Sequence, residues 1–173
     1  MSLDLSKIKI LLAEDSFPLN RMVCDIIEKL GGKNLDSTKS GEEAFELFCK
    51  KRHDIIITDW MMDPVDGLEL TSMVRRHADS PNKMIPIIML TGYNSFKRVL
   101  EARDIGVTEY LVKPFTAKEI ADRISYVINN PRDFIHCTDY FGPDRRRIID
   151  IHYKGDFRRN TDVNLSLVDR QEA

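Results

Sequence analysis

The stretch IIITDWMMDPVDG at residues 55–67 runs three isoleucines and a threonine directly into Asp59, and then turns through Pro64 and Gly67. A continuous apolar run of this kind is typical of a strand that is covered on both faces of a sheet. A buried strand that ends in a carboxylate needs an explanation, because burying an unpaired charge is costly. The rest of the sequence supplies one, since polar groups follow other apolar runs in the same way.

Short apolar runs alternate with helical periods over the first two thirds of the chain. The predicted strands are residues 8–13, 55–58, 85–90 and 109–112, with a weaker edge-strand candidate at residues 33–38. The helices are predicted to begin after Ser40, Asp66, Asn94 and Thr116, with a first helix from Pro18 onward. Alternating strands and helices predict a parallel sheet with right-handed crossovers. We therefore expect an α/β fold with a doubly wound five-stranded parallel sheet, in which ligands bind at the carboxyl ends of the strands.

Two of the predicted helices begin with a capping-box pattern, in which the side chain before the helix and a glutamate three residues later satisfy each other's backbone N–H groups. The two pairs are Ser40 with Glu43 and Thr116 with Glu119. These pairs fix where the second and fifth helices should begin.

Composition narrows the class of protein. The chain has 173 residues, of which 42% are hydrophobic and 31% charged, and its formal net charge is −2. This charge provides no general attraction to DNA or to acidic membranes, and no apolar run approaches the roughly 20 residues of a membrane span. With no signal peptide and three scattered cysteines, we expect a cytoplasmic protein with free thiols.

The character of the sequence changes near residue 130. We expect residues 1–130 to form one domain and residues 131–173 to be an irregular, non-catalytic C-terminal tail that serves docking or oligomerisation. The tail carries an internal echo, YFGPDRR at residues 140–146 and YKGDFRR at residues 153–159, and its arginines are locally clustered. It lacks the two successive amphipathic helices of a helix-turn-helix, so DNA binding is not expected.

Polar side chains lie at the predicted carboxyl ends of four strands. Glu14 and Asp15 follow the first strand, Asp59 ends the third, Thr91 the fourth and Lys113 the fifth. These ends meet in one crevice of a doubly wound sheet, where three carboxylates would raise each other's pKa. A magnesium ion would remove that conflict. A carboxylate beside magnesium, an ammonium and a hydroxyl suits phosphoryl transfer with an aspartyl phosphate as product.

Each polar residue also has a simpler explanation when it is taken alone. Asp15 could cap the first helix and Thr91 the fourth, because both residue types are good helix caps. Four such residues at the ends of consecutive apolar runs favour a site. Trp60 is expected to pack beside that site in a structural role, and His53 is expected in a surface turn.

Four motifs carry a resemblance to a known family. They are ILLAEDS at residues 10–16, IIITDWMMDPVDG at residues 55–67, IIMLTGY at residues 87–93 and YLVKPF at residues 110–115. Through them, residues 7–130 resemble the receiver domain of two-component response regulators. The resemblance implies a flavodoxin-like fold and a stand-alone receiver with a short C-terminal tail.

The resemblance also implies a role for each site residue. Asp59 would be the phosphoacceptor. Magnesium would be bound by Asp15, Asp59 and the backbone carbonyl of Met61, with Glu14 acting mostly through a metal-bound water. Such a domain is not an enzyme toward other substrates, since it catalyses only its own phosphorylation and dephosphorylation.

The remaining implied residues form the switch. Thr91 would hydrogen-bond the phosphoryl group and move toward it, and Lys113 would pair with that group. The bond between Lys113 and Pro114 would be cis, and Tyr110 would be the switch aromatic. One position departs from the family, since Asp63 takes the place of a usual proline; we expect its side chain to face solvent.

The family implies partners as well. They are a sensor histidine kinase or a histidine phosphotransfer protein, and a downstream target protein. A target or a second copy would bind through the tail or through the face of the fourth helix, fifth strand and fifth helix, which includes Tyr110. Bulky side chains at Met61 and Tyr93 would slow hydrolysis of the phosphoryl group.

Two other functions stay open from the sequence. One is a magnesium-dependent phosphatase with an aspartyl-phosphate intermediate, but such enzymes need a second aspartate two residues after the nucleophile, where this chain has Met61. The other is a receiver whose arginine-containing tail binds nucleic acid or a nucleotide, although no aromatic stacking platform is evident.

Overall fold

The computed structural model of the chain describes residues 4–92 and 96–145, together with the backbone of Ser166–Leu167. A short 3-10 turn at Leu5–Lys7 comes first. The strands of the main sheet are β1 (Lys9–Ala13), β2 (Asn34–Thr38), β3 (Ile55–Asp59), β4 (Ile87–Thr91) and β5 (Glu109–Val112). The helices between and after them are α1 (Phe17–Lys29), α2 (Gly41–Lys50), α3 (Gly67–Arg76), α4 (Phe96–Ile105) and α5 (Ala117–Asn129).

The main sheet is parallel throughout and has the strand order β2-β1-β3-β4-β5. This confirms the predicted doubly wound five-stranded sheet, and the weak candidate strand does lie at an edge as β2. The register pairs Ala13 of β1 with Thr58 of β3. Glu14 and Asp59, which follow these two residues, therefore lie at the same level at the carboxyl ends of neighbouring strands.

Helices cover both faces of the sheet, which explains why its strands are apolar without alternation. On one face, α1 and α5 pack against side chains such as Ile10, Ile57 and Leu90. On the other face, α2 and α3 pack against Leu11 and Ile56. A smaller cluster on that same side joins α4 to β4, through residues described below.

Local hydrogen bonds fix where the helices begin. The predicted capping box of Thr116 and Glu119 is present at α5, and Asp66 with Glu69 forms another at α3. At α2 only half of the box forms. The Ser40 hydroxyl accepts from the Glu43 N–H, but the Glu43 carboxylate accepts from the Lys39 N–H and not from that of Ser40. No helix in the described ranges is long and apolar enough to cross a membrane.

The C-terminal segment is not irregular throughout, which corrects the expectation for residues 134–143. Two further strands, β6 (Phe134–Cys137) and β7 (Tyr140–Pro143), form an antiparallel hairpin, hereafter the C-terminal hairpin. A two-residue strand, β8 (Ser166–Leu167), pairs with β6 on its other side. The hairpin includes the start of the first YFGPDRR copy, whereas the second copy at residues 153–159 and the arginines after Arg145 lie outside the described residues.

The expectation for His53 was wrong. Its side chain is 1% exposed, and its Nε2 lies 3.0 Å from Oδ2 of Asp36. The ring also packs near Phe48 of α2, with ring centres 6.3 Å apart. His53 therefore closes the amino-terminal end of the sheet between β2 and α2 instead of lying in a surface turn.

Candidate functional site

Three carboxylates meet where β1 and β3 end. One carboxylate oxygen from each of Glu14, Asp15 and Asp59 lies within 4.8 Å of the others. Glu14 is fully buried and Asp59 is 6% exposed, whereas Asp15 faces solvent. The site is thus a charged pocket with one open side, and the structure brings together the three carboxylates that the sequence predicted.

Asp59 is held from two sides. Its Oδ1 accepts a hydrogen bond from the Trp60 backbone N–H at 2.7 Å and lies 2.7 Å from Nζ of Lys113. The loop after β3 folds back closely, with the Gly67 N–H donating to the Trp60 carbonyl at 3.0 Å. A side chain at Gly67 would overlap the carbonyl oxygen of Asp59, so the loop requires glycine there.

Lys113 brings the cation to the site from the end of β5. Its Nζ lies 3.1 Å from Oε2 of Glu14 as well as close to Asp59, and its backbone N–H donates to the Thr91 carbonyl at 2.7 Å. The Lys113–Pro114 peptide bond is cis, as predicted. Thr91 is 2% exposed at the end of β4, beside the backbone of Lys113. The ends of β1, β3 and β5 therefore supply the charged groups of one pocket, and β4 ends beside them.

Asp15 does not occupy the cap position of α1. The residue before α1 is Ser16, and its side chain makes no capping hydrogen bond. The Ser16 N–H instead donates to Oε1 of Glu14 at 3.1 Å. The local hydrogen bonding thus orients Glu14 and leaves Asp15 open to solvent.

The electrostatics of the pocket are unbalanced without a further cation. Burial raises the pKa of Glu14, the negative charge of Asp59 raises this pKa further, and Lys113 lowers it only in part. One ammonium group faces three carboxylates. The atoms available to bind a metal are carboxylate oxygens, which are the ligands that magnesium and calcium prefer. The residues present therefore fit a hard divalent cation.

The loop after Asp59 carries Met61 and Asp63, and Tyr93 follows β4. The Met61 side chain is 57% exposed, and its backbone carbonyl remains a predicted ligand. Asp63 is exposed, as expected, and the acidic group found among the described residues does not include it. The Asp63–Pro64 bond is cis. Tyr93 lies outside the described residues.

An aromatic and aliphatic cluster connects the pocket to α4. Trp60 is 3% exposed and clusters with Met89, Ala102 and Val107, with Tyr110 packed against them. The guanidinium of Arg98 on α4 lies 5.4 Å from the centre of the Trp60 ring. The sequence predicted the packing of Trp60 but not Arg98, because no local pattern links residues 38 positions apart.

Known proteins are similar to this chain over 69% of its length. The family model described as the response regulator receiver domain matches residues 10–125. The chemotaxis protein CheY1 of Helicobacter pylori is 35% identical over 121 residues, which cover 69% of this chain and 96% of that protein. The chemotaxis protein CheY-3 of Vibrio cholerae is 31% identical over 119 residues, which cover 69% of this chain and 90% of that protein.

Solved structures agree with the sequence matches. Vibrio cholerae CheY4 superposes with a TM-score of 0.64 at 31% identity, over 69% of this chain and 98% of that one. The receiver domain of the Francisella response regulator 1452 gives a TM-score of 0.64 at 28% identity, over 71% of this chain and 98% of that one. The fold, the acidic pocket and the matching family model lead to one conclusion: this chain belongs to the response regulator receiver domain family of two-component signalling.

Proposed function

We propose that the protein is a cytoplasmic phosphorylation switch that accepts a phosphoryl group on Asp59 from a phosphohistidine. The donor would be a sensor histidine kinase or a histidine phosphotransfer protein. The observation that carries the proposal is the position of Lys113, whose Nζ contacts both Asp59 and Glu14 in a pocket of three clustered carboxylates. Residues 1–130 would act as the receiver, and residues 131–173 as a segment for docking or oligomerisation.

The chemistry follows from the positions of the side chains. The free oxygen of Asp59 would attack phosphorus, a new phosphorus–oxygen bond would form, and the phosphorus–nitrogen bond to the donor imidazole would break with its electron pair going to that nitrogen. The Lys113 ammonium group would pair with the phosphoryl oxygens and stabilise their negative charge. The Thr91 hydroxyl would donate a hydrogen bond to them.

Magnesium is part of the proposal. Asp15, Asp59 and the Met61 carbonyl would bind it, and Glu14 would act through a bound water. When bound, the ion supplies charge neutralisation for the incoming phosphoryl oxygens. Glu14 and Asp59 are already oriented by the Ser16 and Trp60 N–H groups.

The surface around the pocket suits a protein donor. Phe17 at the start of α1 is 71% exposed, and Met61 beside Asp59 is 57% exposed. Exposed large apolar side chains next to a polar pocket favour a docking surface. We infer that the phosphodonor protein binds across these two residues, with its phosphohistidine directed at Asp59.

The surface formed by α4, β5 and α5 would transmit the signal to a target. Movement of Thr91 toward the phosphoryl group would let Tyr110 turn inward, and the face of these three elements would change shape. A downstream target protein or a second copy of the chain would bind this face. Light scattering of the full chain with and without beryllofluoride, an unreactive phosphoryl mimic, distinguishes the two.

The phosphatase function is not supported by the site, because Met61 stands where a proton-transferring aspartate is needed and cannot exchange protons. Nucleic-acid or nucleotide binding by the tail gains no support from Arg145, whose guanidinium stacks on Tyr140 and pairs with Asp104. Filter binding with labelled RNA and cyclic dinucleotides tests the arginines that follow.

Intact-protein mass spectrometry after incubation with magnesium and acetyl phosphate tests the proposal. We expect the full chain to gain one phosphoryl group and Asp59→Asn to gain none. Asp63→Asn, which changes an exposed aspartate of the same loop, should still be modified. An unmodified but folded wild-type chain, or a modified Asp59→Asn chain, would show that Asp59 is not the acceptor.

A further inference from the structure

The C-terminal hairpin is fastened to the ends of α3 and α4 that lie away from the acidic pocket. The guanidinium of Arg145, two residues after the end of the hairpin, lies 3.8 Å from the centre of the Tyr140 ring. Its Nη1 lies 3.3 Å from Oδ1 of Asp104 near the end of α4. Arg132 donates to the Thr108 carbonyl at 3.2 Å just before β5. These contacts tie the segment to α4 and to the approach of β5.

Arg75 lies beneath the hairpin and connects it to α3 and to the turn after α4. It is 1% exposed at the end of α3, and its guanidinium donates to the carbonyls of Gly106, Lys83 and Ile85 at 3.0, 2.8 and 2.8 Å. The Phe134 ring of the hairpin lies 5.1 Å from the guanidinium. Burial lowers the pKa of Arg75 to about 9, which still leaves it charged at neutral pH. A buried cation with this many carbonyl partners makes a rigid connection between α3 and the turn after α4.

The first turn of α4 contacts the ring of Trp60, the residue that follows Asp59. Arg98 in its first turn lies over the Trp60 ring, and the Trp60 N–H donates to the carboxylate of Asp59. The same helix is thus held at Trp60 through Arg98 and by the C-terminal segment through Asp104. A displacement of α4 along or about its axis would alter both sets of contacts together.

We propose that the C-terminal hairpin restrains α4 in the position of the unphosphorylated protein, so that phosphorylation at Asp59 and docking of the hairpin oppose each other. This inference rests on the proposed function. In the structure the Lys113 Nζ lies 2.7 Å from the Asp59 carboxylate itself, an arrangement that Lys113 would leave in order to pair with a phosphoryl group. The hairpin contacts with α4 belong to that same arrangement.

Coupling of this kind is reciprocal. If the hairpin holds α4 in the unphosphorylated position, a phosphoryl mimic bound at Asp59 must loosen the hairpin by the same free energy. Within the hairpin, β7 packs against α3 and α4, and Phe134 of β6 lies against the Arg75 guanidinium.

The first test is calorimetric titration of the full chain with beryllofluoride in saturating magnesium. Arg145→Ala removes the stacking on Tyr140 and the ion pair with Asp104, and should bind beryllofluoride about 5-fold more tightly than wild type. The matched control is Arg21→Ala, which removes an exposed Arg21–Asp25 pair on α1 and should leave the affinity unchanged. Equal or weaker affinity of Arg145→Ala overturns the restraint.

A double-mutant cycle identifies the contact. Asp104→Asn should also tighten beryllofluoride binding, and Arg145→Ala added to it should have a much smaller effect than in wild type. Full additivity of the two substitutions would show that the Arg145–Asp104 contact does not carry the coupling.

A second measurement needs no variant. Backbone amides of residues 134–143 in the wild-type chain should exchange hydrogen at least about 3-fold faster once beryllofluoride is bound. Unchanged or slower exchange contradicts the inference even when beryllofluoride binds normally. A folded wild-type chain that fails to bind beryllofluoride defeats the proposed function itself, and this inference with it.

Discussion

At the scale of single residues, the acidic pocket is a balance between burial and charge. Glu14 is fully buried beside Asp59, and both effects raise the pKa of its carboxyl group. Because its folded-state pKa lies above the unfolded value, folding is favoured when Glu14 is protonated and disfavoured once the pH rises above the folded pKa. Without metal, Glu14 therefore lowers the free energy of unfolding as the pH rises from its unfolded-state pKa through its folded-state pKa.

Glu14→Gln imitates the protonated state and should stabilise the metal-free protein at pH 7 by about 1 kcal/mol. It should also weaken magnesium binding, because a ligand charge is lost. Urea unfolding in a chelator measures the first effect and calorimetry the second. The exposed Glu46→Gln on α2 is the control, and a Glu14→Gln protein less stable than wild type in the chelator would contradict this account.

Gly67 is a second residue with a sharp requirement. A methyl group there would overlap the Asp59 carbonyl oxygen, whereas one at Gly92 would meet no atom of the described residues within 4 Å. Gly67→Ala should therefore lower the free energy of unfolding by about 2 kcal/mol, while Gly92→Ala should leave it nearly unchanged. Chemical denaturation of both variants makes the comparison, and equal stabilities would show that the loop relaxes freely.

At the scale of elements, the sequence was informative where burial is uniform. The apolar runs predicted β1, β3, β4 and β5 because helices cover both faces of the sheet. The capping box of Thr116 and Glu119 located the start of α5. The site followed from the same pattern, since Asp59 and Lys113 directly end or follow such strands. Long-range pairs could not be predicted, as with His53, which is buried only because Asp36 and Phe48 meet it from other elements.

The C-terminal hairpin escaped prediction for a related reason. Its strands are only four residues long, and one of its neighbours is Arg75, an arginine that composition would place at the surface. The burial of Arg75 depends on the carbonyls of Gly106, Lys83 and Ile85. None of these contacts has a local sequence signal.

Arg75→Met should destabilise the protein by about 3 kcal/mol, because it leaves several buried carbonyl groups without a donor. Its neighbour Arg76 is exposed, so Arg76→Met provides a matched control and should change the free energy of unfolding by less than about 0.5 kcal/mol. Thermal and urea unfolding measure both. Similar losses in the two variants would mean that the buried hydrogen bonds of Arg75 contribute little.

At the scale of the whole molecule, the pocket links ligand binding to stability. An ion that binds the folded chain at Glu14, Asp15 and Asp59 should stabilise it by mass action, by about 2.7 kcal/mol at 100 times its dissociation constant. The midpoint of thermal unfolding should therefore rise with magnesium and fall again with a chelator. Asp15→Asn should lose most of this rise and Asp63→Asn should retain it; a reversed order would place the ion nearer to Asp63.

Trp60 is the single tryptophan of the sequence. Its backbone N–H donates to the Asp59 carboxylate, and its buried indole ring lies under the Arg98 guanidinium. Indole emission depends on nearby charge and solvent, so the protein carries an intrinsic fluorophore on the residue that follows the proposed phosphoacceptor. Metal binding, phosphoryl transfer and departure of Arg98 from the ring each change that local field. The protein can thus be followed through its cycle by stopped-flow emission, without an added dye.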